Sequence, residues 1–151
     1  MNYWLFKTEP DEYSIRDLQL APNQTAKWDG IRNYQARNFL RDKVAEGDLV
    51  FMYHSQCKQI GIVGVAEIVR AAYPDPAQYD ENSKYFDAKS TFDTPRWFCV
   101  DIKHKLTYPR VISLGRIKAQ PELASMILVK QGRLSVQPVT EQEWQQIEAM
   151  V

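Results

Sequence analysis

Two cysteines in 151 residues, Cys57 and Cys99, are too few for a disulfide framework, and reduced thiols in a cytoplasmic protein are the expectation. A chain of this size buries roughly 70% of the surface its unfolded form exposes, so neither a disulfide nor a metal is needed to hold the core. Charge of one sign is missing as well: 19 Lys and Arg stand against 19 Asp and Glu, for a net charge of zero. Strong non-specific coating of DNA draws on a basic excess, so that class is disfavoured, while a local basic patch stays open. No apolar run approaches the roughly 20 residues of a membrane span, so no membrane partner is expected. The first residues, MNYWLFKTEPDEY, carry no basic leader ahead of an apolar stretch, unlike a secretory signal. Neither G-x-x-x-x-G-K-[ST] nor G-x-G-x-x-G occurs, which leaves nucleotide hydrolysis and dinucleotide binding unsupported. There is no internal repeat, low-complexity tract or dividing linker, and a single domain over 1–151 is expected.

Apolar residues make up 44% of the chain and aromatics 12%, enough for a packed core with rings to spare for a site. Tyr3 to Lys7 reads as a strand. Ser14 with Asp17 forms a capping box for a helix over 15–20. Residues 21–25 read as a loop and Trp28-Asp29-Gly30 as a turn. Asn33 caps a helix from Tyr34 to about Lys43, with Ala36, Phe39, Leu40 and Val44 on one face. Strands are predicted over 49–53, 59–70, 97–106 and 133–139. Gly61 and Gly64 inside the second of these point to a bulge or a sharply bent wall. A polar connection from Tyr73 to Pro95 is long enough to be functional or mobile. Short helices are expected at 113–117 and 122–126. Thr140 and Glu143 form a capping box for a final helix with Trp144 and Ile147 inward. Short strands interrupted by short helices indicate an α+β fold with a small curved or closed sheet.

The segment Trp28-Asp29-Gly30-Ile31-Arg32-Asn33-Tyr34-Gln35-Ala36-Arg37 is dense in groups that recognise planar polar ligands. Trp28 and Tyr34 offer stacking faces, worth about 1–3 kcal/mol per base. Asn33 and Gln35 both donate and accept, which suits a base edge. Arg32 and Arg37 suit phosphate oxygens. The bland alternative is a core Trp28, an Asn33 that only caps, and arginines on a solvated face. Because Trp28 precedes a turn, it is expected in a cleft wall, so that Trp28→Ala removes binding while the fold persists and Cys57→Ala changes little. Tyr53-His54-Ser55 ends a strand, where binding groups tend to sit. A His54–Cys57 nucleophilic pair and a zinc site from His54, Cys57, Cys99 and His104 both lack a signature spacing. No catalytic residue, metal or cofactor is therefore expected, though an enzyme acting on nucleic acid or a nucleotide stays the rival reading.

In order along the chain, YWLFKTEP (3–10), WDGIRNYQARNFLR (28–41), GDLVFMYHS (47–55), GIVGVAEIV (61–69) with Tyr73-Pro74-Asp75-Pro76, and RLSVQPVTEQEW (133–144) closely resemble the EVE domain family. The resemblance implies a PUA-like fold, a curved mixed β-barrel surrounded by short helices, with kinship to YTH domains. It implies a module that reads a modified base in DNA, notably methylated or hydroxymethylated cytosine, with an RNA-binding PUA-like module as the alternative. The expected partner is thus DNA or RNA containing a modified or extruded base, bound by a monomer. Carried over to this sequence, the resemblance gives a pocket from Lys7, Thr8, Trp28, Asn33, Tyr34, Tyr53, His54, Ser55, Arg133 and Ser135. Trp28 and Asn33 lead as stacking face and edge reader. Phosphate contacts are assigned to Arg32, Arg37, Arg41 and Lys43. Three or four of them would give a log–log salt slope of roughly −2 to −4.

Overall fold

The structure is a computed structural model that describes residues 1–151. Six strands, β1 (Tyr3–Thr8), β2 (Thr25–Trp28), β3 (Leu49–His54), β4 (Gly61–Pro74), β5 (Phe98–Ser113) and β6 (Val136–Val139), form one mixed sheet in the order β2-β5-β4-β3-β1-β6. Five short helices accompany it: α1 (Ile15–Leu20), α2 (Tyr34–Asp42), α3 (Leu114–Lys118), α4 (Ile127–Lys130) and α5 (Glu141–Glu148). No helix is long and apolar enough to cross a membrane. Local chemistry sets the helix starts. Ser14 accepts from the Asp17 amide while the Asp17 side chain accepts from the Ser14 amide, and Thr140 with Glu143 repeats the arrangement at α5. Asn33 accepts from the Ala36 amide and starts α2.

The α+β fold with a curved mixed sheet is the one expected, although the hydrogen-bonded sheet itself is not closed: β2 and β6 are edges. It is nevertheless strongly curled. β2 and β1 stand four strands apart in the order, roughly 19 Å on a flat sheet at about 4.8 Å per strand. Yet the rings of Trp28 on β2 and Phe6 on β1 lie 5.7 Å apart, centre to centre. The bending is built into β4 and β5, whose pairing shifts register at four places, one of them between Ile62 and Gly64. Gly64 is part of the cause, since a Cβ there would stand 2.3 Å from both the Leu106 carbonyl oxygen and Ile15 Cδ1. The glycine admits α1 and β5 against the bend.

Both faces of the sheet are covered, so its central strands are apolar throughout rather than alternating. One cluster holds Trp4, Phe6, Val50, Met52 and Ile68 with Leu18 of α1 and Ala36 and Leu40 of α2. The other holds Leu5, Phe51, Tyr53 and Val65 with Ile117 of α3, Leu128 of α4 and Trp144 and Ile147 of α5. Three expectations shift. Residues 25–28 are a strand rather than loop and turn, β4 and β5 run on to Pro74 and Ser113, and the last strand begins at Val136 rather than Arg133. In each case tertiary pairing decides: Val100 to Lys103 of β5 recruit β2, β4 and β5 pair from Gly61 opposite Ser113 to Pro74 opposite Phe98, and β6 pairs with β1 only from Val136, opposite Phe6.

Candidate functional site

Three segments converge where the parallel pair β1 and β3 ends. The register sets Thr8 against His54. The Ser55 amide then donates to the Thr8 carbonyl (3.0 Å), and the Lys7 amide to the Ser135 carbonyl (2.9 Å). Thr8 Oγ1 donates to the Tyr13 carbonyl at 2.9 Å, which folds the β1–α1 loop back over the strand end. Between these segments and the turn after β2 lies a cavity of about 740 Å³. Its walls are Lys7, Thr8, Glu9, Glu12 and Tyr13; Lys27 to Ile31; Ser55 and Gln56; Lys84 and Tyr85; and Gly132, Arg133 and Ser135.

The Tyr85 wall comes from the long connection between β4 and β5, and one buried carboxylate moors it. Asp75 Oδ2 accepts from the Gly30 amide (2.9 Å) and from Arg32 Nη1 (3.0 Å), while Oδ1 accepts from the Ala77 amide (2.8 Å). Arg32 in turn donates through Nε and Nη2 to the Tyr85 carbonyl at 3.1 and 2.8 Å. Gly30 has φ +78°, and a Cβ there would stand 2.8 Å from the Tyr85 ring. A side chain at 30 is thus excluded twice, by backbone and by ring. Buried Gln78 ties the far end of the same connection, donating to the Asp75 and Trp97 carbonyls and accepting from the Arg96 and Trp97 amides. At the cavity mouth Lys84 pairs with Glu12 at 2.6 Å.

The cavity mixes charge and ring. The Lys7 ammonium donates to the Gly132 carbonyl and sits 5.2 Å from the centre of the Tyr53 ring, and burial pushes its pKa down. Desolvation, then the nearby Asp75 carboxylate, pushes the Asp29 carboxyl up. Arg133 lines the cavity without an ion pair. Three rings contribute, Tyr13, Trp28 and Tyr85, beside the hydroxyls of Thr8, Ser55 and Ser135 and the amide of Gln56.

Of the residues expected from sequence, Lys7, Thr8, Trp28, Ser55, Arg133 and Ser135 line this cavity. Trp28 is also a correction. It is only 6% exposed and belongs to the core cluster, so it is a core residue with an edge on the cavity rather than a cleft residue alone. The others lie elsewhere. Asn33 holds the Ala36 amide at 3.0 Å. Tyr34 is 51% exposed and stacks on Trp97 at 4.8 Å. Tyr53 is buried in the second core cluster. His54 lines a neighbouring cavity. Arg32 is bound to Asp75 and Tyr85, Arg37 donates to the Arg96 carbonyl, Arg41 pairs with Asp42, and Lys43 borders a groove beside Met1 and Phe39. Tyr13, Lys84 and Tyr85 were invisible in the sequence: the Thr8 bond to the Tyr13 carbonyl brings in the first, and the long β4–β5 connection, with the Lys84–Glu12 pair, brings in the other two; the length of that connection was the sole signal.

His54 has a structural duty. Its Nε2 accepts from the Ile15 amide at 3.1 Å, so the neutral ring carries its hydrogen on Nδ1. That lone pair is therefore not free to activate Cys57, and no three His, Cys, Asp or Glu side chains stand close enough to hold a metal ion. Desolvation lowers the His54 pKa, opposed in part by Asp17. A depressed histidine binds its proton more readily unfolded, so stability is full above about pH 6.5 and falls as the pH drops below it. Urea unfolding between pH 7.5 and 5.0 should show this loss, and His54→Gln should flatten it. Burial also lowers His104, so His104→Gln is the control and should keep the His54 share. A His54→Gln protein with the full wild-type pH dependence would exclude this role.

The EVE domain family model matches residues 2–150. Thymocyte nuclear protein 1 of Rattus norvegicus is 45% identical over 95% of this chain and 70% of its own length. The Homo sapiens protein of that name is 40% identical over 95% and 71%. Both are named as nuclear proteins, which lends no support to the cytoplasmic expectation. Among solved structures, a Pseudomonas putida protein is 54% identical with a TM-score of 0.92, covering 98% of each chain. The human THYN1 protein in complex with 5-methylcytosine containing DNA is 38% identical with a TM-score of 0.95, covering 99% of this chain and 97% of that one.

Proposed function

The chain belongs to the EVE domain family, and from that premise we propose that it binds DNA and reads a modified base, methylated cytosine foremost, in the cavity beside Trp28. The composition of that cavity carries the reading. A base drawn out of its stack loses both stacking partners, and Tyr13, Trp28 and Tyr85 offer rings in their place. The cytosine edge presents an amino donor beside acceptors. Asp29 or a backbone carbonyl suits the first; Ser55, Ser135, Gln56 and the Lys7 ammonium suit the others, while the Thr8 hydroxyl gives its hydrogen to the Tyr13 carbonyl. A 5-methyl group lies well against an aromatic face. Shared fold alone would not argue function, but the human THYN1 structure with 5-methylcytosine containing DNA, at TM-score 0.95, supports the same ligand class. The domain acts here as a binding module rather than an enzyme.

Duplex oligonucleotides carrying cytosine, 5-methylcytosine or 5-hydroxymethylcytosine test the reading, with a matched RNA as the alternative partner. A modified duplex should bind more tightly than the plain one. Tyr85→Ala should weaken that binding by about 1–3 kcal/mol, or roughly 5- to 150-fold. Equal affinity for modified and plain duplexes would overturn the proposal, and so would preference for the RNA.

A further inference from the structure

On the other side of the β3–β4 loop from the base cavity lies a second cavity, of about 940 Å³. We propose that it holds the sugar–phosphate backbone of the DNA strand that delivers the base; the inference rests on the reading of the first cavity. Three exposed cations border it: Lys58 from the β3–β4 loop, Arg110 from β5 and Lys118 from the end of α3. No aspartate or glutamate does. In a chain with 19 charges of each sign, a trough of three cations without a carboxylate is a local excess of the kind that attracts phosphate.

None of the three takes part in an ion pair. The arginines of the α2 side differ, although its Lys43 is also exposed and outside any ion pair. Arg32 is bound to the Asp75 carboxylate, Arg37 to a carbonyl and to Asn38, and Arg41 to Asp42. A phosphate would have to displace those partners, whereas in the trough it meets cations already free. Neutral donors, Thr107, Ser113 and Gln59, stand among them.

The two cavities share a wall. Ser55 and Gln56 line the first, His54 and Lys58 the second. Three residues of extended chain reach at most about 11 Å. That is about three nucleotide steps at roughly 3.4 Å of rise. A strand with one base in the first cavity therefore has phosphates within reach of Lys58.

The test compares the full-length wild type, a Lys58→Ala/Arg110→Ala/Lys118→Ala variant and an Arg37→Ala/Arg41→Ala variant. Each is titrated with a plain and a 5-methylcytosine duplex from 50 to 200 mM salt, with thermal melts as the folding control. Each lost phosphate contact lowers the log–log slope by about 0.9. The triple variant should thus lose roughly 40-fold less affinity across that range than the wild type. Its ratio of modified to plain binding should stay unchanged, because backbone contacts carry no base information. The α2 variant should keep the wild-type slope. A triple variant with the wild-type slope, or a slope that falls only in the α2 variant, would overturn the proposal. A wild type that does not distinguish the two duplexes overturns the base-reading function instead, and the slope on plain duplex still decides the trough.

Discussion

Replacing Trp28 with alanine should lower the unfolding free energy by about 3–5 kcal/mol, the range for a large aromatic removed from a core. Trp28 is buried among Phe6, at 5.7 Å between ring centres, and Tyr13, which meets it edge-on at 6.3 Å. These contacts join the β2 edge to β1 and to the β1–α1 loop, so they hold the curl of the sheet and one cavity wall together. A domain of this size has about 5–15 kcal/mol in all, so the variant stays folded only with little margin. Base binding lost in Trp28→Ala would therefore have two causes mixed, a missing stacking face and a relaxed cavity. Trp28→Phe separates them: it keeps a ring against Phe6 and should keep most of the stability, while a smaller face gives a weaker base stack. Urea unfolding of both variants, alongside titration with a 5-methylcytosine duplex, provides the comparison. A loss below about 1 kcal/mol in Trp28→Ala would mean that the core contacts carry little.

How far such a residue could be read in advance depends on where its causes lie. Ser14 and Asp17, Asn33, and Thr140 and Glu143 act on amides three residues away, and each helix start was legible. The strand β2 was not. Its four residues, Thr-Ala-Lys-Trp, show no run or alternation of their own and become a strand only because β5 pairs with them. The same gap explains Trp28: beside Asp29-Gly30 it looked like a turn residue, and the core that buries it is assembled from β1, α1 and α2. Within the cavity, the strand-end residues Lys7, Thr8 and Ser55 came with the family motifs. Tyr85 did not, since nothing near it in sequence announces that Arg32 grips its carbonyl 53 positions away. Conversely, the arginines at 32 and 37 looked free because their partners, Asp75 and the Arg96 carbonyl, are remote in sequence.

Asp75→Ala should destabilise the protein as strongly as Trp28→Ala, and by a different route. The carboxylate is fully buried, while the Arg32 side chain keeps 21% of its exposure. Removing one partner of a buried pair strands the other, at a cost of about 3–5 kcal/mol. Here the Gly30 and Ala77 amides lose their acceptor as well. All three donors belong to the joint between the turn after β2 and the long β4–β5 connection, so the damage should concentrate there. The connection carries Lys84 and Lys89, both exposed, and trypsin should cut it faster in Asp75→Ala under native conditions. Base affinity should fall with it, because Tyr85 is held by the Arg32 that Asp75 orients. Arg32→Ala discriminates the cause. If the pair acts as a unit, the double variant Asp75→Ala/Arg32→Ala should cost less than the two single losses added together, since no unpaired guanidinium is left behind. Strictly additive losses, or wild-type resistance to trypsin in Asp75→Ala, would show that the connection is moored elsewhere, with the Gln78 hydrogen bonds to Trp97 the next anchor to remove.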